Sequence, residues 1–372
     1  MEYREMKSGN KTSLLGFGCM RFPQTADGEI DEPEAQKMLD KAIAAGVNYI
    51  DTAYPYHNGK SEPFLGKALK KYHRSSLYLA TKLPVWLVNS VEDAKRFFEE
   101  QCERLQTDYI DYYLLHALNK DKWRAMVELG VVDYCEQLKA EGHIRNFGFS
   151  FHDDYEVLEE ILNYKDWDFC QLQLNYKDVN EQAGLKGYEL TVQKKVPLVI
   201  MEPVKGGLLA GFSEDINDKF HALDAKASVA SYALRWVGSL PNVKVILSGM
   251  TTMEQVDDNL ATFENFVPLS DKEQAAIQEV VETLEACVQN GCTGCRYCMP
   301  CPAGVNIPGC FKVWNNYHIY QNFDAMSREW NDMPASEKPD HCIKCGKCEK
   351  VCPQKLKIRE DLEKVWAELG DK

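Results

Sequence analysis

The sequence predicts an α/β chain: a closed (β/α)8 barrel of the TIM type, followed by a small, mostly helical, cysteine-rich domain. Three observations point there. Eight short apolar runs alternate with amphipathic stretches of helical period over roughly 250 residues. Polar residues gather where those runs end. Of fourteen cysteines, ten crowd between Cys287 and Cys352. Strand alternating with helix is the signature of parallel βαβ units, and eight such units close into a barrel. The rival is a doubly wound open sheet, which carries a Gly-rich turn after its first strand. No G-x-G-x-x-G follows a strand here.

The predicted strands are residues 15–18, 49–53, 77–82, 109–116, 144–150, 169–174, 198–202 and 243–247. Their Val, Ile, Leu, Phe and Tyr content suits strands buried on both faces. Helical period marks segments such as 34–45, 91–105, 155–162 and 225–236. Asp51, Lys82, His116, Ser150 and Gln171 fall at the C-terminal ends of strands, where a barrel displays its reactive side chains. Ser270 followed by Glu273 forms a capping box that opens a helix to about Ala286. The expected organisation is therefore a barrel over residues 1–268, a linker helix over 269–286 and a C-terminal domain over 287–372. No repeat of solenoid length and no low-complexity tract interrupts it.

Composition narrows the partners. With 45% hydrophobic and 27% charged residues the chain is that of a globular protein. No signal-like run opens it, and no stretch approaches the ~18 apolar residues needed to span a bilayer. A cytoplasmic location is expected. The formal charge of -14 argues against nucleic acid or a membrane surface as a partner, since both demand a basic face. Small molecules or other proteins remain. Cysteines concentrated at one end read as ligands in a reducing compartment rather than as disulfides.

The run Cys342-x2-Cys345-x2-Cys348-x3-Cys352-Pro353 is the bacterial ferredoxin pattern. Three thiolates on one loop grip three corners of a cubane, and the fourth serves a neighbouring cluster. Its partner reads Cys292-x2-Cys295-x2-Cys298-x2-Cys301-Pro302, one residue shorter before the last cysteine. The expected arrangement is two 4Fe-4S clusters. Cys292, Cys295, Cys298 and Cys352 would hold one, and Cys342, Cys345, Cys348 and Cys301 the other. The shorter spacing leaves each fourth ligand open, with Cys310 and Cys287 in reserve. Structural zinc is the alternative, but zinc ribbons separate their two cysteine pairs by a dozen or more residues. About forty residues separate the two runs, with the aromatic-rich stretch 305–323 between them. That resembles the helical two-cluster ferredoxin modules fused to larger enzymes. Lys344, Lys347, Lys350, Lys355, Lys357 and Arg359 surround the second run. They would ease reduction of an anionic cluster, dock an acidic electron carrier, or serve as a solvated face.

Asp51-Thr-Ala-Tyr-Pro-Tyr56, Ala80-Thr-Lys82 and Tyr109-Ile-Asp-Tyr-Tyr-Leu-Leu-His116 close three successive strands. These residues resemble the aldo-keto reductase superfamily, whose Asp, Tyr, Lys and His tetrad falls at these strand ends in this order. The resemblance covers about residues 3–265. It implies that Tyr56 donates the proton when hydride reduces a carbonyl. Lys82 would favour the phenolate of a phenol with an ordinary pKa of about 10, Asp51 would hold Lys82, and His116 would orient the carbonyl oxygen. Each residue alone has a plain structural explanation. Together, on a barrel pattern, they point to chemistry.

The same resemblance implies an NAD(P)H cofactor. Ser150 and Gln171 would meet its carboxamide, although the family's Ser-Asn pair is here Ser150-Phe151. Met201 stands where many members stack a tyrosine on the nicotinamide. Lys205 and Gly206 would line the pyrophosphate, and Asp258 and Asn259 the adenine. Ser248 and Gln255 replace the basic residues that meet an NADP 2′-phosphate, so a preference for NADP is not supported. The expected function is NAD(P)-linked carbonyl reduction or alcohol oxidation on a small molecule, with the clusters relaying electrons to a carrier protein or bracing the module. Two alternatives stay open. In one, ferredoxin feeds the clusters and the barrel reduces its substrate without nicotinamide. In the other, the barrel is a redox-sensing, cofactor-binding regulatory subunit.

Overall fold

The computed structural model describes residues 1–321 and 323–370. Asn322 and residues 371–372 of the expected C-terminal domain lie outside the described residues. The chain divides into two compact units, Met1–Gly206 with Ala230–Ser270, and Gly207–Val229 with the chain from Asp271 onward.

The first unit opens with an antiparallel hairpin, β1 (Tyr3–Glu5) and β2 (Lys11–Ser13). Eight parallel strands follow: β3 (Leu15–Gly18), β4 (Tyr49–Asp51), β5 (Tyr78–Leu83), β6 (Ile110–Leu118), β7 (Ile144–Phe151), β8 (Phe169–Gln173), β9 (Leu198–Met201) and β10 (Val243–Gly249). They close in the order β10-β3-β4-β5-β6-β7-β8-β9, so the last strand pairs with the first and no edge is left bare. All eight predicted strands are present, each within two residues of its expected bounds at either end. Strand β4 stops at Asp51, because the Thr52 carbonyl is taken by Lys82 Nζ at 2.6 Å. Strand β10 runs on to Gly249, which carries Ser248 inside the strand.

Two apolar layers hold the barrel. Its interior is filled by Tyr49, Tyr112, Leu114, Phe169, Val199 and Val245, with Met6 from the hairpin. The Tyr112 ring meets Tyr49 at 5.0 Å and Phe169 at 5.1 Å between centroids. The outer layer packs strands against helices through residues such as Phe17, Leu39, Phe97, Trp167 and Val237. Each such side chain contributes about 1.5–3 kcal/mol when fully buried. Close strand packing forbids side chains at two glycines. A Cβ on Gly16 would lie 2.6 Å from Val245, and one on Gly148 would lie 2.5 Å from the Phe169 carbonyl.

The predicted helices appear as Glu32–Ala44, Val91–Leu105, Tyr155–Tyr164 and Val229–Gly238. Asp31 and Ser90 cap the first two by accepting from Glu34 and Asp93 amides. The last begins four residues later than its expected start at 225. Asp224 instead accepts the Lys226 amide in a local turn. Helix Lys120–Glu128, capped by Asn119, follows β6.

In the second unit, helix Glu214–His221 packs on helix Asp271–Ala286. The two cysteine runs flank helix Ile307–Tyr320, and helix Ile358–Leu369 closes the fold. Phe311, Trp314, Trp330, Leu362 and Val365 form its core, and six of the run cysteines pack against that core: Cys292, Cys298, Cys301, Cys342, Cys348 and Cys352. Among the described residues no helix is long and apolar enough to cross a membrane.

Candidate active site and cysteine cavities

Register brings the tetrad together. Asp51 of β4 pairs with Ala80 of β5, and Lys82 lies two residues further along the same face. Lys82 in turn pairs with Leu114 of β6, two residues before His116. The Lys82 ammonium, 1% exposed, donates to Asp51 Oδ1 at 2.7 Å, to the Thr52 carbonyl at 2.6 Å and to the Tyr56 hydroxyl at 3.4 Å. A buried lysine persists only when paired in this way. The Tyr56 and His116 rings meet edge to face at 6.1 Å.

Tyr56 sits on a loop rather than on a strand. Its carbonyl accepts from the Gly59 and Ser61 amides, and the next two residues, His57 and Asn58, take left-handed φ values of 52° and 55°. His57 Nε2 accepts from the Phe22 amide at 3.2 Å, which ties this loop to the segment after β3. Beneath the lysine, Glu62 Oε1 accepts from Thr81 Oγ1 and from Gln101 Nε2, each at 2.7 Å, and Gln101 Nε2 also donates to the Lys82 carbonyl. No motif marks this bracing layer in the sequence.

The electrostatics differ from expectation in one respect. Burial pushes the Tyr56 phenol above its ordinary range, and the opposing pull of Lys82 does not overcome it. The phenol therefore stays protonated near neutrality, with a hydrogen to give. For Lys82 burial acts downward, but Asp51 and Tyr56 outweigh it and hold the ammonium up. Burial, then Lys82, His152 and Lys122, hold His116 well below its usual pKa, so the ring is neutral.

The other predicted positions spread around the same rim. Ser150 and Gln171 lie opposite each other on β7 and β8. Ser150 Oγ accepts the Ala117 amide at 2.7 Å. Gln171 Oε1 and His116 Nδ1 are buried without a protein partner. An acceptor of that kind fits the amide hydrogens of a nicotinamide carboxamide. Met201 ends β9, half-buried. Lys205 pairs with Asp178, so its charge is already matched. Gly206 takes φ 67°. Asn259 donates to Ser248 Oγ at 2.8 Å, and both are buried. Gln255 closes a capping box with Thr252 on helix Met253–Glu264, and its amide oxygen accepts the Thr251 amide at 2.7 Å. Asp258 follows on the same helix, half-buried.

Sequence reasoning missed Arg21. Its stem lies against Gly249, where an added Cβ would come within 3.0 Å of Cδ, and its guanidinium reaches Gly206, where the same test gives 3.2 Å. A cation thus stands where the loops after β3, β9 and β10 meet. Arg21 falls three residues past the end of β3, so a rule that looks only at strand ends passes over it.

In the second unit the cysteines line two small cavities. Cys292, Cys295, Cys298 and Cys352 line one. Cys301, Cys342, Cys345 and Cys348 line the other, and Cys298 touches it as well. The donor set of four thiols around each cavity suits a cubane. Cys287 and Cys310 line neither cavity: Cys287 Sγ donates to the Thr283 carbonyl, and Cys310 is buried against Met333. The basic run is partly neutralised, since Lys344 pairs with Glu363, Lys357 with Glu360 and Arg359 with Glu349.

Residues 14–282 match the family model described as the Aldo/keto reductase family, and residues 291–356 match the 4Fe-4S dicluster domain. The NADH-specific methylglyoxal reductase of Escherichia coli is 27% identical over 302 residues, covering 70% of this chain and 91% of that protein. The holo form of aldo-keto reductase AKR11C1 from Bacillus halodurans superposes with a TM-score of 0.62 at 28% identity, covering 75% of this chain and 96% of that one. An aldo/keto reductase from Klebsiella pneumoniae in complex with NADP and acetate gives 0.60 at 25% identity, covering 75% and 95%.

Proposed function

Because the chain belongs to the aldo/keto reductase family and carries a 4Fe-4S dicluster domain, we propose that it interconverts a small carbonyl compound and its alcohol with a nicotinamide cofactor, using Tyr56 as the proton donor. One observation carries this reading: a buried lysine whose ammonium touches both Asp51 and the Tyr56 hydroxyl. Lys82 donates to the phenol oxygen, which leaves the phenol hydrogen free to point at a substrate. His116, neutral and edge-on to Tyr56, offers an N–H to the same carbonyl oxygen. Proton and orienting donor are thus in place before any charge develops, which is where preorganised sites gain most.

The nicotinamide, when bound, supplies hydride to the carbonyl carbon. Gln171 would hold its carboxamide through the buried Oε1, with Ser150 beside it and Met201 offering a polarizable surface to the ring. Arg21, not Ser248 or Gln255, is the cation we assign to its phosphates. Gln255 is occupied by its helix cap, and Asn259 by Ser248. The relatives named above are split between NADH and NADP, and we assign no preference between them.

Two 4Fe-4S clusters would occupy the cysteine cavities, Cys292, Cys295, Cys298 and Cys352 holding one and Cys301, Cys342, Cys345 and Cys348 the other. The clusters pass single electrons. Exposed Tyr297 and Ile343, next in the chain to Cys298 and Cys342, would be the points at which a carrier protein exchanges them. The reading in which ferredoxin replaces nicotinamide keeps one support, the buried Phe151 where the family has an amide side chain.

Anaerobic purification, an iron count and a visible spectrum with NADH, NADPH and dithionite added in turn test the proposal. Two clusters predict about eight iron atoms per chain, with aldehyde turnover on at least one nicotinamide. Zinc in the cavities, or clusters reduced by ferredoxin in a protein that binds neither nicotinamide, would overturn it.

A further inference from the structure

On the side of the rim away from Arg21, Lys122 is a cation with no counter-charge among the described residues. Lys122, in the first turn of helix Lys120–Glu128, is half-buried, and its ammonium donates to the Ala117 carbonyl at 3.3 Å. It lies 5.7 Å over the Trp86 ring and meets no carboxylate among the described residues. An ammonium has three donors, and here only one is used. Trp86 itself is 43% exposed, unusual for so large an apolar ring, and its other neighbour is His116 at 5.1 Å. The cation therefore stands one indole away from the imidazole that faces Tyr56. Backbone geometry maintains this: Ala117 adopts a left-handed φ of 54°, a strained choice for alanine.

Lys122 is misplaced for the cofactor. Arg21, Gly206 and Gly249 mark the phosphate side, around β3, β9 and β10. Lys122 follows β6, three strands from β3 in the barrel order. It is also not a general surface lysine in a basic field, since the chain carries a net charge of -14. Lys82 is matched by Asp51, and burial lowers the His152 pKa so that its ring is neutral, with Glu202 near enough to act on it; of the groups that act on His116, Lys122 alone keeps an unmatched charge. The substrate side of the mouth thus holds one unmatched ammonium on an acidic protein, and such a charge attracts an anion.

From the line Lys122, Trp86, His116, Tyr56 we infer that the substrate is a carbonyl compound bearing a carboxylate, which Lys122 binds while the indole walls the carbon chain between the two ends. The inference rests on the reading of Tyr56 as proton donor. One unmatched ammonium suits a singly charged carboxylate; a phosphate dianion would leave a charge unmet. In the reaction two electrons arrive on the carbonyl carbon as hydride from the nicotinamide, Tyr56 passes its proton to the oxygen, and the carboxylate emerges unchanged.

The test compares kcat/KM of the full, anaerobically purified protein on succinic semialdehyde against butanal, and on 4-carboxybenzaldehyde against benzaldehyde. The charged member of each pair is expected to be favoured about tenfold or more, mainly through KM, the factor that roughly 1.4 kcal/mol of charge-assisted hydrogen bonding supplies. Lys122→Met should bring the ratio to about one, and Lys122→Arg should restore most of it. A wild-type ratio near one, or a ratio that Lys122→Met leaves intact, overturns the inference. If no aldehyde turns over with either nicotinamide, the Tyr56 reading fails by itself. Calorimetric binding of 4-hydroxybutyrate then decides about Lys122: weakening of about tenfold in Lys122→Met supports it, and equal binding by both proteins sinks it.

Discussion

Replacing Lys82 with methionine keeps most of the stem volume and removes one charge from a site that is 1% exposed. Asp51, 2% exposed, then has no partner for Oδ1, and its Oδ2 is already bare. The Thr52 carbonyl loses its donor as well. Breaking a buried ion pair from one side costs about 3–5 kcal/mol. In a barrel of this size that corresponds to a fall in melting temperature of roughly 6–20 °C. Turnover should fall by at least ~10²-fold, the usual scale for a disabled general acid. The informative protein is the double variant Lys82→Met with Asp51→Asn. It removes both charges of the pair, so thermal melts followed by circular dichroism should show most of the lost stability returned. Aldehyde reduction under anaerobic conditions should stay at the level of the single variant. Activity that recovered together with stability would show that the pair only braces the fold, and the account of Tyr56 would be wrong.

Three further outcomes follow from the geometry. The raised Tyr56 pKa means that alcohol oxidation, which needs the phenolate, should still be rising with pH at the ordinary phenol pKa of about 10. Reduction, which needs the protonated phenol, should be lost only as pH climbs through that raised value. Neither profile should break near pH 6.5, because His116 titrates well below it; a break there in rate measurements would place a charged imidazole in the mechanism. Arg21→Ala should raise the nicotinamide KM by about tenfold, as expected for losing one charge-assisted contact to phosphate, and an unchanged KM would remove Arg21 from the cofactor site. Cys298→Ser should lower the iron content and bleach the visible spectrum, whereas Cys287→Ser should retain both; the reverse result in an iron assay would mean that the ligand set is misassigned.

The barrel was legible because period and residue type agree along every strand. Asp51, Lys82 and His116 lie at strand ends, where alternation alone decides which side chains share a face, and β-sheet register then brings them together. Tyr56 was legible by type, but its electrostatics were not: burial depends on how the loop after β4 folds over the site. Arg21 escaped notice because its importance arises only when β10 closes against β3 and brings Gly249 beneath its stem. Gln255 has a second role that was legible in the sequence. The Thr252 and Gln255 spacing is a capping box in plain sequence, so its amide was already committed to the helix. In the second unit cysteine spacing sorted the residues that line each cavity, and it also ranked Cys287 and Cys310 behind them. That Cys298 touches both cavities depends on how the two loops fold against each other, which spacing does not encode.

The account rests on direct transfer between a nicotinamide and a carbonyl at the Tyr56 mouth. The most direct test is to reduce an aldehyde anaerobically with NADH or NADPH deuterated at the transferring carbon, and to locate the label by mass spectrometry. We expect one deuterium on the carbinol carbon of the alcohol. An unlabelled alcohol, or reduction that proceeds from reduced ferredoxin with no nicotinamide present, would contradict it.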